Sequence, residues 1–194
     1  MNTELDGDEY LHLALHASGK GDHHAALTYL KSALQIDARN ALALYMLAAQ
    51  HAELGLYQRA RQEFREVLEI NPDMEIARFQ LGLLHIQLDE IDAARAMFEH
   101  LAEFTADTAL RSFSRGLLAL AADRRDDARA LIGAGLAHCS NEPLKADMQK
   151  ILTRLDAQAG TAPQPVAEPV PAERKTATGS IFLGAYRNAP DGKA

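Results

Sequence analysis

Three ladders of residues run through this chain at one spacing. Ala26, Ala60, Ala94 and Ala128 stand 34 residues apart, as do Ala14, Ala48, Gly82 and Gly116. Leu30, Phe64, Phe98 and Ile132 keep the same interval and are always large and apolar. Three ladders in a fixed phase define a structural repeat, and a repeat of this length is too short to bury its own apolar faces alone. Repeats of that kind stack, each using its neighbours to complete a continuous core. Small residues suit positions where two antiparallel helices cross. The large residue four places after each alanine falls on the same helical face, one turn on, where it fills the space beside the crossing.

The helical periodicity predicts four helix pairs: 8–18 with 25–37, 41–54 with 57–70, 75–88 with 91–103, and 108–122 with 125–138. Gly19, Gly21 and Gly55 mark turns within pairs, and Asn71-Pro72-Asp73 separates the second pair from the third. Ser140-Asn141 is suited to cap a ninth helix with Pro143 in its first turn, running to about Leu155. Its Lys145, Asp147, Gln149, Lys150 and Arg154 give it the polar face expected of a terminal helix.

These residues resemble the tetratricopeptide repeat family. The second unit matches most fully, with Leu47-Ala48, Ala60, Phe64 and Pro72. The third has Leu81-Gly82, Ala94 and Phe98, with Ala106 where the family has proline; the first has Leu13-Ala14, Ala26 and Leu30, with Ala38 there. The fourth keeps Gly116 and Ala128 but departs from the pattern with Arg115 and Gly135. The resemblance implies an all-α, right-handed solenoid of about four helix-hairpin units, 7–40, 41–74, 75–108 and 109–142, closed by a capping helix at 143–157. The expected organisation is an extension at 1–6, a repeat domain over 7–158, a linker at 159–180 and a tail at 181–194.

In such arrays the first helices of successive units line a concave groove. One register puts Leu11, Tyr45, Phe79 and Phe113 there, followed one turn on by Leu15, Ala49, Leu83 and Leu117, then by Ile86 and Leu120. Family members that clamp a carboxylate use Lys, Arg and Asn at these places, so the apolar set disfavours that ligand. It suits an amphipathic helix or an extended hydrophobic segment. In architecture the chain is similar to the chaperones of type III secretion.

Five of the seven prolines fall in the last 36 residues. The Pro/Ala-rich stretch 159–175 is expected to be an extended linker that cannot bury enough apolar surface to fold. Beyond it Ile181, Phe182, Leu183 and Tyr186 form an apolar cluster of the kind used as a docking motif. Burying these side chains gains roughly 1.5–3 kcal/mol each. Ordering about eight residues of backbone costs on the order of 8–16 kcal/mol, so the motif is expected to bind weakly unless tethered.

The net charge is −7, carried by the body of the chain, because the last 36 residues sum to +1. An acidic body repels phosphate backbones, which argues against a nucleic-acid partner. Cys139 is the only cysteine, which favours a reducing compartment. The acidic start has no signal-peptide pattern and no apolar run reaches membrane-spanning length, so a cytoplasmic protein without membrane insertion is expected. Asp8, His12 and His16 lie along one helical face and His23-His24 close by, yet no cysteine joins them and they are expected to be solvated rather than metal-binding. Phosphate-loop, nucleophile-elbow and zincin motifs are absent. The expected function is therefore that of a non-enzymatic, cofactor-free adaptor or assembly chaperone. Its partner would be an apolar segment of another protein, its own tail or a second copy, the last giving a homo-oligomer built through groove and tail.

Overall fold

The computed structural model describes residues 5–159, which form nine α-helices and, among the described residues, no strands. The helices are α1 (Gly7–Gly19), α2 (His23–Ile36), α3 (Ala41–Glu53), α4 (Tyr57–Ile70), α5 (Glu75–Gln87), α6 (Ile91–Phe104), α7 (Thr108–Ala121), α8 (Arg125–His138) and α9 (Glu142–Ala159). They pair in sequence, and each pair packs on the next.

Local chemistry sets the boundaries. At α1 a reciprocal capping box forms: Glu9 N donates to Asp6 Oδ1 and Asp6 N donates to Glu9 Oε2, both at 2.8 Å. Asp22, Asn40 and Asp107 cap α2, α3 and α7, each accepting from the backbone N–H three residues on. Asn141 does the same for α9, taking Leu144 N at 3.0 Å. The turns inside the pairs need a left-handed residue. Gly21 and Gly55 supply it in the first two units, at φ 75° and 76°, and Asp89 and Asp123 in the next two, at φ 62° and 55°.

The small-residue ladders lie at the helix crossings. Ala14, Ala26, Ala48, Ala60 and Ala128 have no exposed surface, and Ala94 is nearly as buried. A β-carbon on Gly82 would stand 2.7 Å from the Phe98 ring, and one on Gly116 would stand 2.7 Å from Ile132 Cγ1. The large-residue ladder (Leu30, Phe64, Phe98, Ile132) is buried throughout. The departures in the fourth unit have a physical reason. A β-carbon at Gly135 would come within 2.5 Å of Phe113, so glycine is what lets α8 close on that ring. Arg115 faces solvent and reaches back to donate to the Ala102 carbonyl.

Two glycines of α8 therefore separate propensity from packing. Gly133 has open space where a side chain would go, so Gly133→Ala should raise stability by about 0.5–1 kcal/mol through helix propensity. Gly135→Ala overpacks Phe113 and should lower stability by roughly 1–3 kcal/mol despite the same propensity gain. Thermal or urea unfolding followed by far-UV circular dichroism measures both.

Candidate functional site

The aromatic rungs expected in the groove are core residues. Tyr45, Phe79 and Phe113 are fully buried, as is Ala49, and Leu11 is nearly so. Tyr45 meets Phe64 edge-on with ring centroids 5.7 Å apart, and Phe79 meets Phe98 likewise at 5.6 Å. The reason is helical phase. Leu11, Tyr45, Phe79 and Phe113 each precede a member of the Ala14–Ala48–Gly82–Gly116 ladder by three residues, and so share its face toward the second helix of the pair. Leu15 is half-buried, packed on the N-terminal part of the core.

The other four expected residues come together. Leu83 and Ile86 on α5, with Leu117 and Leu120 on α7, line a cleft of about 580 Å³. Ile91, Ala94 and Phe98, spaced along one face of α6, line it as well, and α9 contributes Ile151. Ile86 and Ile91 are both more than 40% exposed. Most of the lining is aliphatic, and the volume falls within the roughly 300–1,000 Å³ of ordinary ligand sites.

Ile151 was missed by the sequence reading, although a signal for it exists. It stands 34 residues after Leu117, so it extends the rung of Ala49, Leu83 and Leu117 into α9. In the same phase Ser18, Ala52, Ile86 and Leu120 lead to Arg154, another residue of the cleft. The terminal helix thus keeps the phase of the units' first helices while closing the stack. The large aliphatic side chains of these two rungs are concentrated in the third and fourth units, which is where the cleft opens.

The polar groups of the cleft are few: Gln87, Arg95 and Arg154. Both arginines are exposed. The lip formed by the α5–α6 turn is pinned by a polar network. Buried His85 pairs through Nδ1 with Glu90, and Glu90 also takes Arg61 from the preceding unit. The His85 hydrogen bond, with help from Arg61, holds the Glu90 carboxyl below its ordinary value. Its counterpart one unit earlier is buried His51, 2.6 Å from Glu63. On the far side Arg129 holds α9 to α8 by donating to Asp126 and Asp156 at 2.7 Å and to the Leu155 carbonyl.

Among the described residues no three His, Cys, Asp or Glu side chains converge as metal ligands. His12 Nδ1 lies 2.9 Å from the Asp8 carbonyl, within its own helix. Cys139 is buried, its Sγ donating to the Asn141 carbonyl, and burial pushes the thiol above its ordinary value. No helix among the described residues is long and apolar enough to cross a membrane. The expected docking motif, Ile181, Phe182, Leu183 and Tyr186, lies outside the described residues.

Stacked helix pairs in a 34-residue phase, with an apolar cleft between their first helices, define a helical-repeat solenoid. Residues 51–114 match the tetratricopeptide repeat family model, and the helix pairs on either side of that stretch continue the same stacked repeat. Among solved structures it is similar to MamA (residues 41 to the end) from Desulfovibrio magneticus RS-1, with 17% identity and a TM-score of 0.56 over 80% of this chain and 97% of that one. It is also similar to PilW, a type IV pilus biogenesis factor, with 25% identity and a TM-score of 0.63 over 79% and 70% of the two chains. A tetratricopeptide repeat protein from Parabacteroides merdae shows 20% identity and a TM-score of 0.61 over 81% and 61%. No curated protein sequence matches the chain.

The wall made by α9 carries a test of its own. Asp147, in phase with Phe113, is 2% exposed, and its Oδ2 has no hydrogen-bond partner among the described residues. Burial raises its carboxyl above the ordinary value, against the pull of Lys150 2.9 Å away. A raised folded-state value means that stability falls as pH rises through the interval between the unfolded and folded values. Asp147→Asn should therefore raise the melting temperature at neutral pH. The gain should fade in acid, where Asp147 is itself protonated, and a pH series of thermal melts checks both points.

Proposed function

We propose that this protein is a non-enzymatic scaffold that holds an apolar polypeptide segment in the cleft between α5, α7 and α9. The observation that carries the proposal is the cleft itself: an aliphatic channel of about 580 Å³ with two exposed arginines, Arg95 and Arg154, among its lining. Apolar side chains at i and i+3 or i+4 on a helical ligand would meet Ile86, Leu117, Leu120 and Ile151. Carboxylates on its polar face would meet the two guanidinium groups. The ligand class that fits is an amphipathic segment with acidic residues flanking its apolar face. Such a scaffold shields a hydrophobic segment until it reaches its assembly, the role of an assembly chaperone. The likeness to a pilus biogenesis factor is in keeping with that role. A lone, buried cysteine fits a reducing cytoplasm.

The site is tested with a fluorescein-labelled Leu/Glu amphipathic helix of about 18 residues, long enough for roughly five turns. The chain should bind it saturably. Ile86→Glu and Leu120→Glu should each weaken binding by about tenfold or more, since about 1.4 kcal/mol suffices for that change. Ile36→Glu, an exposed apolar residue away from the cleft, should leave it unchanged. Equal binding by all four proteins in fluorescence anisotropy would remove the cleft from consideration.

A further inference from the structure

We propose that in the resting protein the cleft is filled by the chain's own segment Ile181–Tyr186, which an incoming partner must displace. This rests on the reading of the cleft as a polypeptide-binding site and names its resident occupant.

The path of the chain favours it. The described fold ends at Ala159 on α9, the same helix that lends Ile151 and Arg154 to the cleft. Arg154 and Ala159 are five residues apart, about 7.5 Å along a helix axis, so the tail starts beside the site. Residues 160–180 then separate the fold from Ile181. By length alone, 21 residues reach roughly 25 Å as a coil and about 65 Å if wholly extended, enough in either case to return to the cleft, and the tether raises the local concentration of the segment there. Outside the described residues, Ile181, Phe182, Leu183 and Tyr186 are the densest group of large apolar side chains in the sequence. They match the aliphatic lining in chemistry.

Charge sets the exchange. The cleft includes Arg95 and Arg154, and the residue after Tyr186 is Arg187. The nearest acidic residue after Tyr186 is Asp191, five positions on. The tail therefore supplies apolar contacts without carboxylates beside them, and it brings a like charge close to the two arginines. A partner carrying acidic residues next to its apolar face gains ion pairs that the tail lacks, and so displaces it.

The chain has no tryptophan, so Phe182→Trp in the full-length protein introduces the sole indole as a reporter. The expected result is a blue-shifted emission, protected from acrylamide and independent of protein concentration. Adding Ile86→Glu or Leu120→Glu should shift it back to the solvent-exposed value, with circular dichroism melts confirming that the variants remain folded. The Leu/Glu peptide should produce the same red shift on titration. Stopping the chain after Lys175, which retains all nine described helices, should tighten peptide binding several-fold. An exposed emission, or a buried one indifferent to both cleft substitutions, overturns the proposal. A burial that grows with concentration overturns it in favour of docking between copies. If the indole is exposed while the peptide still binds at the cleft, self-docking fails and the binding site stands; if neither occupies the cleft, both fail.

Discussion

Everything in this fold depends on how closely the two helices of each pair can approach. Gly82 has the Phe98 ring within 2.7 Å of where its β-carbon would be, and Gly116 has Ile132 equally near. No larger residue fits those crossings without moving the second helix outward. The close approach lets one large side chain per unit (Leu30, Phe64, Phe98 or Ile132) be buried completely. Dispersion energy accumulates only at van der Waals contact, so these tight crossings are where a short repeat gains cohesion. The unit-to-unit geometry then follows from what remains on each pair's outer faces.

The ladders that report this constraint are short-range and phase-locked, which is why the architecture was legible in the sequence. Ala26, Ala60, Ala94 and Ala128 identify the second helices, and the glycines or aspartates at the turns fix where each pair reverses. The positive φ at Asp89 and Asp123 was less visible, since nothing but their phase with Gly21 and Gly55 distinguishes them from other exposed acids. The departures at Arg115 and Gly135 also became intelligible only in three dimensions. Gly135 answers to Phe113, a residue on another helix, and that correspondence is invisible in a one-dimensional pattern.

The lining of the candidate cleft was legible in part for a definite reason. A first helix in a solenoid has apolar residues on two adjoining faces, one toward its partner and one toward the cleft, about one turn apart in sequence. Tyr45, Phe79 and Phe113 belong to the first face because they share it with the small-residue ladder; Leu83, Ile86, Leu117 and Leu120 reach the second. Hydrophobicity alone cannot separate the faces, whereas the offset of three from Ala48 or Gly82 can. The contribution of α9 was hidden by its polar character. Asp147 and Lys150 occupy phases that carry aromatic and small residues elsewhere, so the helix reads as a cap until Ile151 is counted with Leu83 and Leu117.

Those two aspects of α9 explain why the cleft lies at this end of the chain. A first helix normally has a second helix to pack against, and α9 has none among the described residues. Its Phe113-equivalent position is the buried acid Asp147, and its Gly116-equivalent position is Lys150, joined to it by an ion pair. The helix is instead held from behind, through Leu144 and Met148 in the core and Arg129 clasping Asp156. Its inner face stays in phase with α5 and α7 while its outer face ends the stack. A wall secured on one side only can adjust its distance from α7 at less cost than a helix packed on both. The same helix lends Ile151 and Arg154 to the cleft, so the shape of the cleft and the set of α9 against the stack are linked through one element.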